Sequence, residues 1–431
     1  MTDIIRNKIF ALAVSIAAVA PATAQTTAIM NGRVLTGDGR TIEEGDVIIR
    51  NGRIAQVGAD LSAPAGAEVV DATGKVVTPG LFAPYSSIGL VEIGLDAEAN
   101  DSGPQRDAGF PLGASLNAAD AYRPSSTLIP VNRAGGVTRA VSAPSPGDSM
   151  FGGRAAVIDL SGGDGSLIRD NAGQVLSLGY GGATRAGDTR MGVWALLRET
   201  LDEAKEYAAN PNDYERRYRD GRYKIADLKA LGPVINGRQP LLASVNGEVD
   251  IRNLIRLKND YRLRVIIVGG TEAWKAAPAI AAANIPVILD PFSNLPSQFE
   301  DLGATLENAA RLEAVGVKIA FYGAGAHNLR ALPQHAGNAV ANGLPYDAAI
   351  AALTKNPAEI FGLGGDMGTL TPNKVADVVI WDGDPLEVTS AAEAVFINGV
   401  EQDLTNRQTV LRERYRTLER GDLPFAYRGR E

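Results

Sequence analysis

The 431-residue sequence contains no cysteine and only two histidines, His327 and His335. The lack of cysteine excludes disulfide bonds, thiolate nucleophiles and zinc sites built on sulfur. Two histidines exclude every mechanism that needs three or more imidazoles in one place. Because soft and borderline metals prefer imidazole or thiolate, a remnant metal site built on Asp159 and Asp290 would at best hold magnesium or calcium weakly.

A surplus of basic residues is also lacking. Lys and Arg together number 42 against 50 Asp and Glu, so the formal net charge is −8 at pH 7. Such a chain has no excess charge with which to neutralise phosphates, which argues against nucleic acid as a partner and disfavours an acidic membrane surface. Hydrophobic residues make up 45% and charged residues 21% of the chain, and these fractions are typical of ordinary globular proteins.

The apolar run near the amino terminus is short. It extends from Ile9 to Ala20, follows two basic residues and precedes the small-residue motif Ala22-Thr23-Ala24. This order is typical of a secretory signal peptide, and the run is too short to cross a bilayer as a stable helix. We therefore predict a signal peptide over residues 1–24 and no membrane span. An exported chain without cysteine favours a periplasmic location.

Short β-rich runs with glycine turns occur at both ends of the chain. In residues 47–57 the pair Asn51-Gly52 separates two apolar runs, which is a strong hairpin signal. The stretches ADVVIWDGDP and AVFINGVEQ repeat the pattern near the other end. Because an isolated hairpin is only marginally stable, we predict one small β-sandwich domain assembled from residues 25–78 and 363–403. The charged residues 404–431 predict a helical tail.

Between these ends, apolar strands alternate with amphipathic helices. Examples of the strands are RVIIVGG, IPVILDPF and VKIAFYGAG. Strands that recur every ~20 to 30 residues with helices between them indicate parallel βα units, and this length favours a (β/α)8 barrel. The predicted fold class is therefore α/β, with a TIM-like barrel over residues 79–362. The sequence contains neither a GxGxxG nor a GK[ST] loop, so nucleotide binding lacks its usual anchor.

Three stretches carry a family resemblance: VVDATGKVVTPGLFAPYSSIGL, RAGGVTRAV and TKNPAEIFGLGGDMGTLTPNKVADVVIWDGDP. They resemble the amidohydrolase superfamily, in particular its imidazolonepropionase-like and prolidase-like branch. The resemblance implies a metal-dependent (β/α)8 barrel flanked by a β-sandwich made from both chain ends. It also implies hydrolysis of carbon–nitrogen bonds, such as those of amides, cyclic amides or dipeptides.

The metal ligands that the resemblance implies are replaced in this sequence. Tyr85 and Ser87 stand where the H-x-H pair is expected after the first barrel strand. Ser244, with Asn246 nearby, replaces the metal histidine after the fifth strand, and Gly269 replaces the one after the sixth. Ala324 or Gly325 replaces the aspartate of the last strand, and Asp159 aligns loosely with the bridging lysine. We therefore predict no metal and no other cofactor. Without the ligands, the chain loses both the metal-bound hydroxide and the polarised carbonyl on which the family's hydrolysis depends.

Three titratable residues are candidates for catalysis at the barrel mouth. His327 follows the presumed last strand and could act as a general base near neutral pH. Asp159 and Asp290 close apolar runs and are predicted near the carboxyl ends of strands, where two carboxylates could share a proton or bind a hard cation. The alternative for each of the three is hydrogen bonding to loop backbone. His335 lies in a helix-like segment, so we predict a surface or capping role for it.

Four polar residues are candidates for ligand binding: Tyr85, Ser87, Ser244 and Asn246. They would donate or accept hydrogen bonds in the space that the metals vacate. The alternative is that such side chains are neutral replacements in a closed pocket.

Three functions remain open from the sequence. The first is a metal-free, catalytically silent binding or structural subunit, either as a homo-oligomer or beside an intact amidohydrolase paralogue. The second is a hydrolase of carbon–nitrogen bonds with a rebuilt site, and the third is a periplasmic protein that binds a small molecule at the barrel mouth. A persistent fold with a lost site favours the first, because folds outlast the functions grafted onto them.

Overall fold

The computed structural model describes residues 26–218, 223–323 and 325–416. The predicted signal peptide, residue Ala324 and the last part of the predicted tail lie outside these ranges. Within them, no helix is both long and apolar enough to cross a membrane.

Sixteen strands form in the described ranges, and they build two sheets. The first sheet contains β1 (Thr26–Leu35), β2 (Thr41–Arg50), β3 (Arg53–Ala59), β4 (Glu68–Asp71), β5 (Val76–Pro79), β14 (Val378–Trp381), β15 (Ala392–Ile397) and β16 (Val400–Glu401). The second contains β6 (Leu81–Ser86), β7 (Val137–Ser142), β8 (Phe151–Asp159), β9 (Leu167–Ser177), β10 (Leu241–Val245), β11 (Val265–Gly269), β12 (Val287–Leu289) and β13 (Ile319–Phe321).

The first sheet joins strands from both ends of the chain. Its order is β16-β15-β14-β5-β1-β2-β3, with β4 beside β1. Strand β5 lies parallel to β1 and antiparallel to β14, so the two ends share one hydrogen-bonded sheet. The turn between β2 and β3 has Asn51 at φ 52° and Gly52 at φ 76°, as a two-residue hairpin with two positive φ angles requires. A two-layer sandwich domain stays a prediction.

The second sheet curls into a nearly closed barrel. Its order is β13-β12-β11-β10-β9-β8-β7-β6, and β13 contacts β6 at the seam. The predicted α/β class and the TIM-like barrel are therefore confirmed. Side chains alternate between the two faces: Leu242, Ile266, Ile288 and Ala320 pack inside the barrel, whereas their chain neighbours pack outward against the helices.

One strand departs from the predicted parallel arrangement. Strand β8 is antiparallel to both β7 and β9, while the other neighbouring strands of the barrel are parallel. No helix separates β7, β8 and β9 in the chain, and connections this short join antiparallel strands because a parallel pair needs a crossover of a dozen or more residues. The expectation of eight parallel βα units is therefore wrong at β8.

Helices cover the outside of the barrel and the segments between strands. They are α1 (Leu128–Arg133), α2 (Gly179–Ala183), α3 (Arg190–Ala209), α4 (Pro211–Arg217), α5 (Ile225–Ile235), α6 (Glu248–Tyr261), α7 (Ala277–Ala282), α8 (Asn308–Glu313), α9 (Leu332–Ala341), α10 (Tyr346–Leu353), α11 (Lys355–Ile360) and α12 (Arg407–Tyr415). Helix α12 lies in the predicted tail and begins at a capping box formed by Asn406 and Thr409.

Candidate functional site

The barrel mouth is the edge where the parallel strands end. Tyr85 lies in β6 near its carboxyl end, and Ser244 lies in the corresponding part of β10. Burial raises the pKa of the Tyr85 phenol, and the nearby Ser244 hydroxyl partly opposes this shift. Two of the predicted ligand-binding residues are therefore brought together across the mouth. They occupy two of the positions at which the resemblance implies metal ligands.

A second tyrosine extends this polar cluster. Tyr322 follows β13, and its ring packs edge-on against that of Tyr85 with centroids 6.1 Å apart and planes at 80°. Burial raises the pKa of Tyr322, and the negative charge of Asp290 raises it further. Tyr322 is therefore a neutral hydroxyl at neutral pH, able to donate or accept a hydrogen bond. No motif in the sequence pointed to this residue.

Asp290 pairs with His335 at the same edge of the barrel. Its Oδ1 lies 3.0 Å from His335 Nδ1, across 45 residues of chain, and also accepts a bond of 2.9 Å from the backbone N–H of Phe292. The His335 side chain is 5% exposed. The expectation of a surface or capping role for His335 is therefore wrong, because α9 turns this side chain inward against the segment that follows β12.

The backbone at Gly323 makes room for the imidazole. A Cβ built there would overlap the ring of His335. Phe292 covers the ring from another side, with ring centroids 4.4 Å apart. His335 is therefore held between a glycine and an aromatic ring while its Nδ1 faces Asp290.

A signal for the burial of His335 was present in the sequence. The residues Leu332, His335, Ala336 and Ala339 recur at the spacing of one helical face, and all four are buried. A histidine on the apolar face of a helix that flanks a barrel is predicted to point inward. Its partner Asp290 is remote in sequence, so only the fold identifies the pair.

Asn246 and Ser87 lie on opposite parts of the rim. The Asn246 side chain lies over Gly269, where a Cβ would overlap its Oδ1, and that oxygen accepts a long bond of 3.5 Å from the backbone N–H of Thr271. Ser87 is half-buried just after β6, and its carbonyl accepts the backbone N–H groups of Leu90 and Val91. A ligand-binding role for these two residues stays a prediction.

His327 does not join the polar cluster. It lies in the 3-10 segment Ala326–Ala331 and is exposed, and its side chain makes no hydrogen bond within the described ranges. Asn132 of α1 holds this segment by bonds to the carbonyl of Ala326 (2.8 Å) and the N–H of Arg330 (3.0 Å). The imidazole that contacts Asp290 is thus His335 and not His327.

Asp159 lies at the opposite end of the barrel from Asp290. It closes β8, but β8 is antiparallel, and Asp159 is paired with Arg139 near the start of β7. Its carboxylate accepts bonds from Arg139 (3.4 Å), Asn398 (3.2 Å) and the N–H of Ser161 (2.9 Å). The expectation that Asp159 and Asp290 share one mouth is therefore wrong, because the direction of β8 reverses the edge to which its carboxyl end belongs.

The residues present do not fit the metal centre that the resemblance implies. Among the residues that the structure describes, no group of three or more histidine and carboxylate side chains could hold a metal ion. Asp290 and His335 supply only two side chains, and the Asp290 oxygen nearest the imidazole already accepts two hydrogen bonds. Catalytic metal sites usually take three protein ligands.

Comparison with known proteins identifies relatives. The model of the amidohydrolase family matches residues 273–410. The chain is 25% identical over 394 residues to amidohydrolase tasK of Hapsidospora irregularis, a match that covers 83% of this chain and 40% of that protein. A dihydroorotase of Pelobacter propionicus is 47% identical over 53 residues, which is 12% of each chain. The chain therefore spans less than half the length of tasK, and only a short segment matches the dihydroorotase.

A solved structure supports the same relationship over most of the chain. The crystal structure of an amidohydrolase from Thermotoga maritima superposes with a TM-score of 0.77 at 28% sequence identity. The match covers 87% of this chain and 99% of that one.

Proposed function

The chain belongs to the amidohydrolase superfamily, and we propose that its barrel mouth binds a small molecule without the metal centre on which related hydrolases depend. The observation that carries the proposal is the position of Tyr85 and Ser244, which lie near the carboxyl ends of β6 and β10, close enough for the serine hydroxyl to lower the pKa of the phenol. At the strand ends where the family would hold metal, this chain pairs two neutral hydroxyls.

The chemistry of these side chains supports binding over hydrolysis. A catalytic metal lowers the pKa of bound water and polarises the scissile carbonyl. Neutral phenol, hydroxyl and amide groups do neither, but they orient a polar ligand by hydrogen bonds. Tyr85, Tyr322, Ser244 and Asn246 are such groups. We propose that the chain acts as a binding subunit, alone or beside an amidohydrolase that keeps its ligands.

A second candidate function rests on the pair Asp290 and His335. A carboxylate that accepts from one imidazole nitrogen orients the ring so that its other nitrogen can act as a general base. His335 Nε2 makes no hydrogen bond within the described part of the chain, and such a nitrogen could activate water for attack on a carbon–nitrogen bond. In this alternative the base of the rebuilt hydrolase is His335, oriented by Asp290.

The export prediction belongs to the same proposal. Cleavage after Ala24 would deliver a mature chain that begins at Gln25 to the periplasm. Mass spectrometry of the protein from a periplasmic extract is expected to show that terminus. An intact Met1 on protein recovered from the cytoplasm would contradict export.

Elemental analysis together with a hydrolysis assay tests the proposed function. Zinc, manganese and iron are measured in the purified mature protein, and turnover of N-acyl amino acids and dipeptides is measured with and without a chelator. We expect metal far below one equivalent and no chelator-sensitive turnover. The proposal would be overturned by one equivalent of metal together with turnover that a chelator abolishes. In that case Asp290→Ala should also abolish turnover, whereas the exposed control Asp347→Ala should not. Chelator-resistant turnover that His335→Gln abolishes would establish the second candidate.

A further inference from the structure

Five exposed apolar side chains lie at one side of the barrel mouth. The segments that follow β9, β10 and β12 carry them, and because these strands run parallel in the barrel, all three segments leave the same edge. We call the five side chains the rim patch: Tyr180 (60% exposed), Met191 (81%), Val249 (61%), Phe299 (84%) and Leu302 (61%). Exposed apolar residues that are scattered singly are normal, so their contiguity decides whether they form an interaction surface.

Contacts at Glu300 bring three of the five side chains together. The backbone N–H of Tyr180 donates to Glu300 Oε2 at 3.0 Å, and Phe299 precedes Glu300 in the chain. A Cβ built at Gly247 would lie 3.3 Å from the Cβ of Glu300, and Val249 follows two residues later in the first turn of α6. The three segments therefore meet at Glu300.

The first turn of α6 holds the other two side chains of the rim patch. Arg190, which precedes Met191, lies 3.4 Å from the carboxylate of Asp250 in that turn. The N–H that follows Leu302 and the first N–H of α6 donate to the two oxygens of one carboxylate, that of Glu272, at 2.7 and 3.2 Å. The rim patch is therefore one contiguous surface.

The size of the rim patch matches one side of a dimer interface. Tyr180 and Phe299 alone expose about 250 Å² of largely apolar surface, since an aromatic residue offers about 150–250 Å². With the three aliphatic side chains the exposed apolar area is on the order of 500 Å². A standard interface buries about 800 Å² per partner, and about 65% of a homodimer interface is apolar. Patches above a few hundred Å² are rare on monomers.

The charges around the rim patch suit a second copy of the same chain. Arg190 is half exposed, Glu300 is half-buried, and Glu248 pairs with Arg252 at 2.9 Å, so both signs of charge flank the apolar side chains. A two-fold axis sets one surface against itself, and mixed charges then allow opposite signs to face each other. Because the whole chain carries a net charge of −8, a surface with both signs is where two copies approach with least repulsion.

We propose that a second copy of this chain docks on the rim patch, so that two barrels pair through the segments at one side of their mouths. Phe299 and Met191, the most exposed of the five side chains, pass from water into the apolar centre of the interface. Arg190 of each copy approaches a carboxylate of the other. The inference rests on this surface and not on the chemistry of the mouth, so its failure leaves the proposed function as it stands.

Sedimentation equilibrium of the mature protein over a range of concentrations tests the pairing. We expect a dimer. Phe299→Asp introduces a charge into the apolar centre, and the two-fold axis repeats the change, so the dimer should weaken at least about a hundredfold. Val388→Asp is the control, because Val388 is 71% exposed but lies between β14 and β15 of the first sheet. Circular dichroism checks that both variants are folded.

Three results of this experiment would overturn the proposal. They are a monomer at every concentration, a dimer that Phe299→Asp leaves unchanged, and equal weakening by Phe299→Asp and Val388→Asp. A lipid surface is the other class of partner for an apolar patch. If the protein is monomeric in solution and floats with phosphatidylcholine vesicles unless it carries Phe299→Asp, the rim patch binds lipid and the proposal is wrong.

The lack of native cysteine allows the contact to be located directly. Met191→Cys places a single thiol in the rim patch, and a flexible bis-maleimide is expected to link two copies through it. Adding Phe299→Asp should abolish that link, and Val388→Cys should form none. A link that persists with Phe299→Asp, or an equal yield from Val388→Cys, would place the contact between copies elsewhere and overturn the proposal.

Discussion

Arg139 and Asp377 form a bidentate ion pair that joins the barrel to the sheet made from both chain ends. Arg139 Nε lies 2.5 Å from Asp377 Oδ2, and one terminal nitrogen lies 2.8 Å from Oδ1. Both side chains are almost fully buried, at 4% and 6% exposure. Asp377 and the second carboxylate near Arg139, Asp159, raise the pKa of Arg139 against the opposing effect of burial.

Removal of the guanidinium is expected to destabilise the protein strongly. Arg139→Met leaves two buried carboxylates without their cation, and breaking a buried pair in this way costs about 3–5 kcal/mol. Arg53→Met is the matched control, since the Arg53–Asp366 pair has the same chemistry but is half exposed, and such pairs contribute about 0–1 kcal/mol. Urea unfolding measures both. Similar losses in the free energy of unfolding for the two variants would show that the buried pair stabilises the protein no more than the exposed pair.

Loss of the carboxylate beside His335 tests the second buried pair. Asp290→Ala leaves the buried Nδ1 of His335 without its acceptor, which is expected to cost about 1–3 kcal/mol. Asp290→Asn retains an acceptor oxygen and is expected to cost less. The free energy of unfolding of both variants is compared with that of Asp347→Ala, a change at an exposed position of α10. If Asp290→Ala is as stable as Asp347→Ala, the bond does not stabilise the imidazole.

A methyl group at Gly323 is expected to displace the imidazole. Because a Cβ there would overlap the His335 ring, Gly323→Ala overpacks the site at a cost of about 1–3 kcal/mol. Gly365→Ala is the control, since a Cβ at Gly365 meets open space. In a double-mutant cycle, His335→Ala should relieve most of the penalty at position 323. If the losses in the free energy of unfolding from Gly323→Ala and His335→Ala are additive, the two positions do not interact.

The raised pKa of Glu300 predicts a pH-dependent gain in stability when its charge is removed. A carboxyl whose pKa is raised in the folded state binds its proton more tightly there, so ionisation destabilises the fold as the pH rises above its ordinary pKa of 4.5. Glu300→Gln is therefore expected to raise the melting temperature at pH 7 and to lose most of that gain at pH 4. Melting curves at both values, with the exposed Glu98→Gln as control, measure the difference. A larger gain at pH 4 than at pH 7 would contradict the sign.

Local patterns in the sequence were enough for several structural predictions. The pair Asn51-Gly52 predicts the hairpin between β2 and β3, because few residues other than asparagine and glycine adopt its positive φ angles. Alternating apolar strands and helices predict the α/β barrel, since each element must bury one face. The presence of only two histidines excludes a three-imidazole site in any fold.

Strand direction and the partners of buried side chains were decided by the tertiary structure. The apolar run that ends at Asp159 has the composition of any barrel strand, and only its short connections to β7 and β9 turn it antiparallel, so that Asp159 meets Arg139 instead of Asp290. Likewise, the helical period of α9 indicates that His335 is buried, but not beside which residue. Hydrophobic periodicity is a local property of the chain, whereas strand order and long-range pairing depend on how all the elements pack together.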